Sequence, residues 1–160
     1  MNLIAMVDLD WGIGKDGKQP LFIPEDLARF KRLTTGRTVI MGRKTLEALP
    51  GGKPLPGRRN IVLTHDMKFK VDGAEVVHSV GELLKIAPKN AFVIGGDSIY
   101  RQLLPFCDKA YITKVAAFFR ADRFCPNLTK DTEWQRTHAG KRQESGVVFW
   151  FDEYKRRDAK

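Results

Sequence analysis

Four strand-length runs, "NLIAMV" (2–7), "TVIM" (38–41), "NIVLT" (60–64) and "AFVIGG" (91–96), are apolar through their centres, with no alternating polar residue to face water. Such a strand has to be covered on both sides, the situation of a parallel sheet between helical layers. The intervening segments supply the cover. The spacing of apolar residues predicts a helix from about Pro24 to Thr34 and a short one over Lys44–Ala48. "VGELLKIA" (80–87) and "SIYRQLLPF" (98–106) read as two more. "AEVVH" (74–78) is a short strand and "KAYITKVAA" (109–117) a longer one, while "TEWQRTHA" and "GVVFWFDEY" form a closing antiparallel pair. Strands alternating with helices, then strands alone, predict an α/β fold with a mixed, mainly parallel sheet. Ligands of such sheets bind outside the carboxyl ends of the strands.

The length of 160 residues fits one domain, 1–160, with a substantial core. No apolar run is long enough to span a membrane, and "NLIAMV" is followed at once by Asp8 and Asp10, unlike a signal peptide. Cys107 and Cys125 are far apart, with no CxxC and no histidine at ligand spacing, so reduced thiols, a cytoplasmic setting and no metal are expected. The formal net charge of +9 suits an anionic partner. No helix carries a dense basic stripe interleaved with aromatics, so the charge does not by itself single out nucleic acid.

The helix at Pro24 opens with two acids, Glu25 and Asp26, either of which could simply complement the positive helix start. A wheel at about 100° per residue separates them: with Asp26 at zero, Leu33 lies near about −20°, Phe30 near +40° and Leu27 near +100°. Glu25 falls instead with Arg29 and Arg32 on the polar side. A carboxylate flanked by the apolar arc is costly unless paired or met by a ligand. Burial would also raise its pKa toward the range useful for proton transfer. A structural buried acid remains the alternative.

Two further places bring glycine to a helix start directly after a buried strand. In "TVIMGRKT" Gly42 leads into Arg43, Lys44 and Thr45, and in "FVIGGDSIY" Gly95 and Gly96 precede another helix. Free N–H groups at such a start hold anions, and glycine lets the backbone approach a ligand closely. Neither is a Walker loop nor a complete GxGxxG. Together they favour a pyrophosphate-bearing cofactor over two unrelated tight turns. "KPLPGRRN" stiffens a loop with prolines and presents Arg58 and Arg59, a group able to clamp a carboxylate by two hydrogen bonds.

In order, "LIAMV", "GIGKDGKQP", "IPEDLARFKR", "VIMGRKT", "PLPGRRNIVLT", "VIGGDSIYRQLLP" and "AYIT" resemble the bacterial dihydrofolate reductases, from Met1 to about Pro126. The resemblance implies a central, mostly parallel eight-stranded sheet with about four helices, and NADPH-dependent reduction of 7,8-dihydrofolate to tetrahydrofolate. It implies that Asp26 is the acid of the pterin pocket, promoting protonation at N5, with Thr113 supporting it through hydrogen bonding, and that Tyr100 is a further catalytic residue in the wall around pterin and nicotinamide. Leu27 and Phe30 match residues against the pterin and aminobenzoyl rings. Ile4, Ala5, Met6 and Ile94 match the walls around pterin and nicotinamide. Arg58 matches the ligand of the glutamate α-carboxylate, with Leu55 at the same end.

For the cofactor the resemblance implies Ala5, Ile13 and Gly14 near the nicotinamide, and Gly42, Arg43, Lys44 and Thr45 at the phosphates. Leu63, Thr64 and His65 match the adenosine side, with Thr64 and Arg43 as candidates for the 2′-phosphate. Gly95, Gly96, Asp97, Ser98 and Ile99 match the other flank, where the glycine pair is usually joined by a cis peptide. Three positions depart from the pattern. Leu21 replaces a common tryptophan that supports a substrate-side water, Gln19 an apolar residue at a mobile loop tip, and Ser98 an arginine of some members. A small-molecule folate substrate, a monomer, and no nucleic-acid or membrane partner are expected. A reductase of the same fold acting on another nitrogen heterocycle, as in riboflavin biosynthesis, keeps the glycines but gives no reason for "IPEDLARFKR" with "PLPGRRN". A basic nucleic-acid-binding module explains the charge alone.

Overall fold

Alternation along β1 (Asn2–Val7) divides the core into two layers. Leu3, Ala5 and Val7 enter one, Ile4 and Met6 the other. The remaining elements of this computed structural model, which describes residues 1–158, build outward from that strand. In chain order they are β2 (Gly12–Gly14), α1 (Pro24–Thr34), β3 (Thr38–Gly42), α2 (Arg43–Ala48), β4 (Arg59–Leu63) and β5 (Ala74–Val77). Then follow α3 (Val80–Ile86), β6 (Phe92–Gly95), α4 (Asp97–Leu103), β7 (Lys109–Val115), β8 (Arg123–Phe124), β9 (Trp134–His138), β10 (Gln143–Glu144) and β11 (Val148–Arg156).

Eight strands lie in the order β10-β11-β7-β1-β6-β3-β4-β5, and β9 adds to the free side of part of β11. The run from β7 to β5 is parallel throughout, whereas β11 enters antiparallel to β7. This is the mixed, mostly parallel sheet expected. The parallel strands are covered on both faces. Phe30 and Leu33 of α1 and Leu46 of α2 pack on Val39, Met41, Val62 and Phe92. Leu83 of α3 and Ile99, Tyr100 and Leu103 of α4 pack on Ile40, Ile61 and Val93 on the other side.

Helix α1 has the expected bounds, with Pro24 in its first turn and Lys31 and Arg32 in its last, each end matching the helix dipole. Helix α4 starts one residue earlier than expected and ends at Leu103, where Pro105 forces a 3₁₀ turn over Leu104–Phe106. The loop after β1 is more ordered than its glycines suggest. Gly12–Gly14 pairs with β8, and the buried carboxylate of Asp8 accepts hydrogen bonds from the N–H groups of Asp10, Gly12 and Phe119 at 2.7–2.8 Å. Three backbone donors from two separate loops, one of them buried, are thereby satisfied by one side chain.

Candidate active site

Asp26 stands in the first turn of α1 over the neighbouring rungs of β1, β7 and β11. Thr113 of β7 lies opposite Met6 on one side and Phe151 on the other. Its hydroxyl donates to Asp26 Oδ1 at 2.5 Å. Burial raises the Asp26 carboxyl above its ordinary value, outweighing the lowering by that hydrogen bond and by the nearby Arg29 guanidinium. Glu25, one residue before it, is exposed. The two acids therefore have different environments, as the wheel predicts.

The same wheel misplaces Arg29. Rather than joining Glu25 at the polar surface, Arg29 is half-buried, its guanidinium 4.5 Å above the Phe151 ring and 5.5 Å from that of Tyr111. Leu27 is 52% exposed, whereas Phe30 packs inward with Ile4, Leu55 and Ile94. Four of the expected substrate-side residues thus share one apolar cluster. Met6 joins a second, with Leu21, Ile23, Ala117 and Phe119, and Gln19 reaches back toward Met6 Sδ at 3.8 Å. The leucine at position 21 is a packing residue here. The Ala5 side chain packs with Leu3 and Val7 in the opposite layer.

Between β1 and β6 the ladder stops after Leu3↔Val93. Tyr100, buried on α4, inserts its hydroxyl into the gap, 2.7 Å from the Ile4 carbonyl and 2.9 Å from that of Ile94. Burial pushes its phenol well up, so the group stays a donor. This ties α4 to both β1 and β6 at the site.

The two glycine turns meet. Met41 of β3 pairs with Gly95 of β6, just before Gly42 and Gly96. A Cβ on Gly42 would come within 3.0 Å of Ile99 Cγ1, and one on Gly96 within 3.4 Å of the Thr45 hydroxyl. Gly95 has φ +131° and the Gly95–Gly96 peptide is cis, as the resemblance implies. Glycines at a shared, close-packed opening, with Thr45 between them and Lys44 exposed, fit a bound pyrophosphate. Asp97 accepts from Arg101 and Arg123, tying ribbon β2–β8, with Ile13 and Gly14, to this flank. Ser98 Oγ accepts from Gln102.

Arg43 is less free than its position suggests. It pairs with Asp66 at 2.7 Å and Glu47 at 3.5 Å, and stacks over Phe69 at 4.7 Å. Thr64, beside the buried Leu63, caps the Asp66 N–H, and His65 is exposed. Any anion at Arg43 must therefore share it with two carboxylates.

Arg58 and Arg59 are separated by their partners. Arg59 is bidentate to Glu75 at 2.6 and 2.9 Å and donates to the Ile86 carbonyl, so its fork is occupied. Arg58 donates Nε to the Pro56 carbonyl and Nη1 to Thr34 Oγ1 at 3.2 Å, which aims its guanidinium along the end of α1. Asn60, nearly fully buried, braces this loop by bonding the Leu55 N–H and the Leu55 and Arg58 carbonyls. Asn60, Thr34, Asp8, Arg29 and Phe151 are site-building residues that the sequence reading missed. An asparagine heading an apolar strand and an aspartate ending one were the available signals for two of them.

The model of the family described as dihydrofolate reductase matches residues 1–156. A dihydrofolate reductase of Staphylococcus aureus (strain Mu50) is 38% identical over 149 residues, covering 92% of each chain. One of Bacillus subtilis is 40% identical over 137 residues, 84% of this chain and 80% of that one. The solved dihydrofolate reductase from Enterococcus faecalis, complexed with NADP(H) and RAB-propyl, superposes with a TM-score of 0.88 at 34% identity, covering 98% of this chain and 96% of its own.

Proposed function

The chain belongs to the dihydrofolate reductase family, and from that membership we propose which of its residues carry the reaction. It catalyses the NADPH-dependent reduction of 7,8-dihydrofolate to 5,6,7,8-tetrahydrofolate. Bound NADPH supplies the hydride, delivered to C6 of the pterin. What remains for the protein is alignment, exclusion of water and help with one proton.

Asp26 carries that last task. It hydrogen-bonds the pterin and promotes protonation at N5, and Thr113 fixes the carboxyl's orientation. Ile4, Met6, Phe30 and Ile94 hold the pterin and aminobenzoyl rings, with Leu27 closing the rim and Leu55 the far end. Arg58 takes the glutamate α-carboxylate through the part of its fork that Pro56 and Thr34 leave open. Tyr100, spanning the gap between β1 and β6, holds the two wall carbonyls apart at the junction of substrate and cofactor. Gly42, Lys44 and Thr45 hold the phosphates, Gly95 to Ile99 the other flank, and Ala5, Ile13 and Gly14 the nicotinamide side. Leu63, Thr64 and His65 serve the adenosine, with Thr64 and a shared Arg43 at the 2′-phosphate.

No helix among the described residues is long and apolar enough to cross a membrane. Burial pushes the free Cys107 thiol up to about 12 and raises that of Cys125 as well, so both stay protonated and unreactive. Such thiols suit a reducing compartment, and we place the enzyme in the cytoplasm as a monomer acting on small molecules alone.

The half-buried Asp26 held by Thr113 carries this reading. Its test is NADPH oxidation with and without dihydrofolate, repeated with Asp26→Asn. The variant should bind NADPH as before and lose most of its hydride-transfer rate near neutral pH. Recovery is expected at low pH, where the substrate arrives already protonated. An unchanged single-turnover rate in the variant would remove Asp26 from the mechanism.

A further inference from the structure

Helix α1 crosses two rungs of the sheet that share a face, Thr113↔Phe151 and Tyr111↔Glu153, two residues apart along β7. Asp26 meets the first through the Thr113 hydroxyl. Arg29, about 4.5 Å further along the axis at 1.5 Å per residue, lies over Phe151 and toward Tyr111 on the second. Two aromatic faces hold the planar guanidinium there, an arrangement arginine adopts readily. Other charged or titratable groups surround the pair. Arg32 lies one turn on, Glu153 faces Arg29 from β11, Lys109 shares the Tyr111 ring from β7, and the buried Tyr100 phenol approaches Asp26 from α4. Glu153 is itself paired with Lys109 at 3.2 Å, so Arg29 is not its sole partner.

We propose that Arg29 is a positioning residue acting through Asp26. Its charge, clamped over Phe151 and Tyr111, sets the pH at which the enzyme loses hydride-transfer competence. This rests on the reading of Asp26 as the group that handles the proton. A fixed cation beside a carboxyl favours the ionised form and opposes the effect of burial, and both influences act on Asp26. Arg29 itself is pulled down by burial but starts so far above neutrality that it remains charged.

The experiment compares native enzyme, Arg29→Met, Arg29→Gln and Arg29→Lys by single-turnover hydride transfer across pH. Asp26→Asn is the control, and thermal melts confirm that each variant is folded. The neutral variants should move the alkaline limb upward by about half a pH unit or more, while lysine keeps it near the native position. In carboxyl-carbon NMR, the signal that Asp26→Asn removes should titrate at higher pH in the neutral variants. An unmoved limb and unmoved carboxyl titration in both neutral variants overturn the proposal. So does a lysine variant that shifts as far as they do, which would mean packing and not charge. If the native limb survives in Asp26→Asn, the role of Asp26 has failed and the proposal falls with it. The carboxyl titration separates that outcome from a simple lack of coupling.

Discussion

Asp26 is held where an ionised carboxyl is unfavourable, and the sign of the consequence for stability is fixed. Burial raises its pKa above the ordinary 3.8, so the folded protein binds this proton more tightly than the unfolded chain. The associated stabilisation is fully present below the unfolded value and is lost as pH rises through the folded one. Asparagine cannot ionise, and its Oδ1 can still accept from Thr113. Asp26→Asn should therefore melt above the native protein near neutral pH, with the gap narrowing as pH falls. Thermal denaturation of both proteins over an acid-to-neutral series checks this. A gap independent of pH, or a variant less stable at neutral pH, would contradict it. The site carries a group whose useful environment is a destabilising one.

At the scale of elements, the site depends on how β11 is buttressed. Gly140 passes so close to that strand that a Cβ built on it would lie 2.3 Å from the Phe151 carbonyl oxygen and 2.7 Å from its nitrogen. Its own N–H donates to the buried Asp152 carboxylate at 2.9 Å. Gly140→Ala should destabilise the fold by about 1–3 kcal/mol, the usual range for overpacking, and shift the Phe151 ring. A denaturant melt measures the loss, and a neutral result would mean that this segment moves away freely. Nothing in the sequence near Gly140 announced such a contact, because it is made with a strand that begins eight residues later. Helix α1 was legible to the residue because proline, acids, bases and an apolar period all agree over 24–34. Arg29 was not, since a helical wheel gives direction but not what waits there, in this case rings from β7 and β11. The β2–β8 ribbon was illegible for a simpler reason: strands of three and two residues leave no period to read. Arg58 and Arg59 look alike in the chain, and distant partners, Thr34 for one and Glu75 and Ile86 for the other, give them different surroundings.

For the whole molecule, the excess of positive charge acquires a use. The formal charge of +9 belongs to a protein whose substrate is a dicarboxylate and whose cofactor is phosphorylated. KM for both should rise as salt is increased from about 0.01 to 1 M, over which the Debye length falls from about 30 to 3 Å, with little change in single-turnover hydride transfer. Steady-state titrations at several salt concentrations measure this, and salt-independent KM values would count against steering. At this scale the parallel sheet and its cofactor glycines could be read in the chain, because each buried strand and its following turn are local. The closure of the site is not local. The Asp26–Thr113 contact joins residues 87 apart, and Phe151 reaches its place only when β11 docks along β7. Contacts of such separation form late, after the entropy of long loops has been overcome. During refolding, helical and sheet signals should therefore return before the chemistry does, and for that interval the protein is a nearly complete scaffold without an enzyme in it.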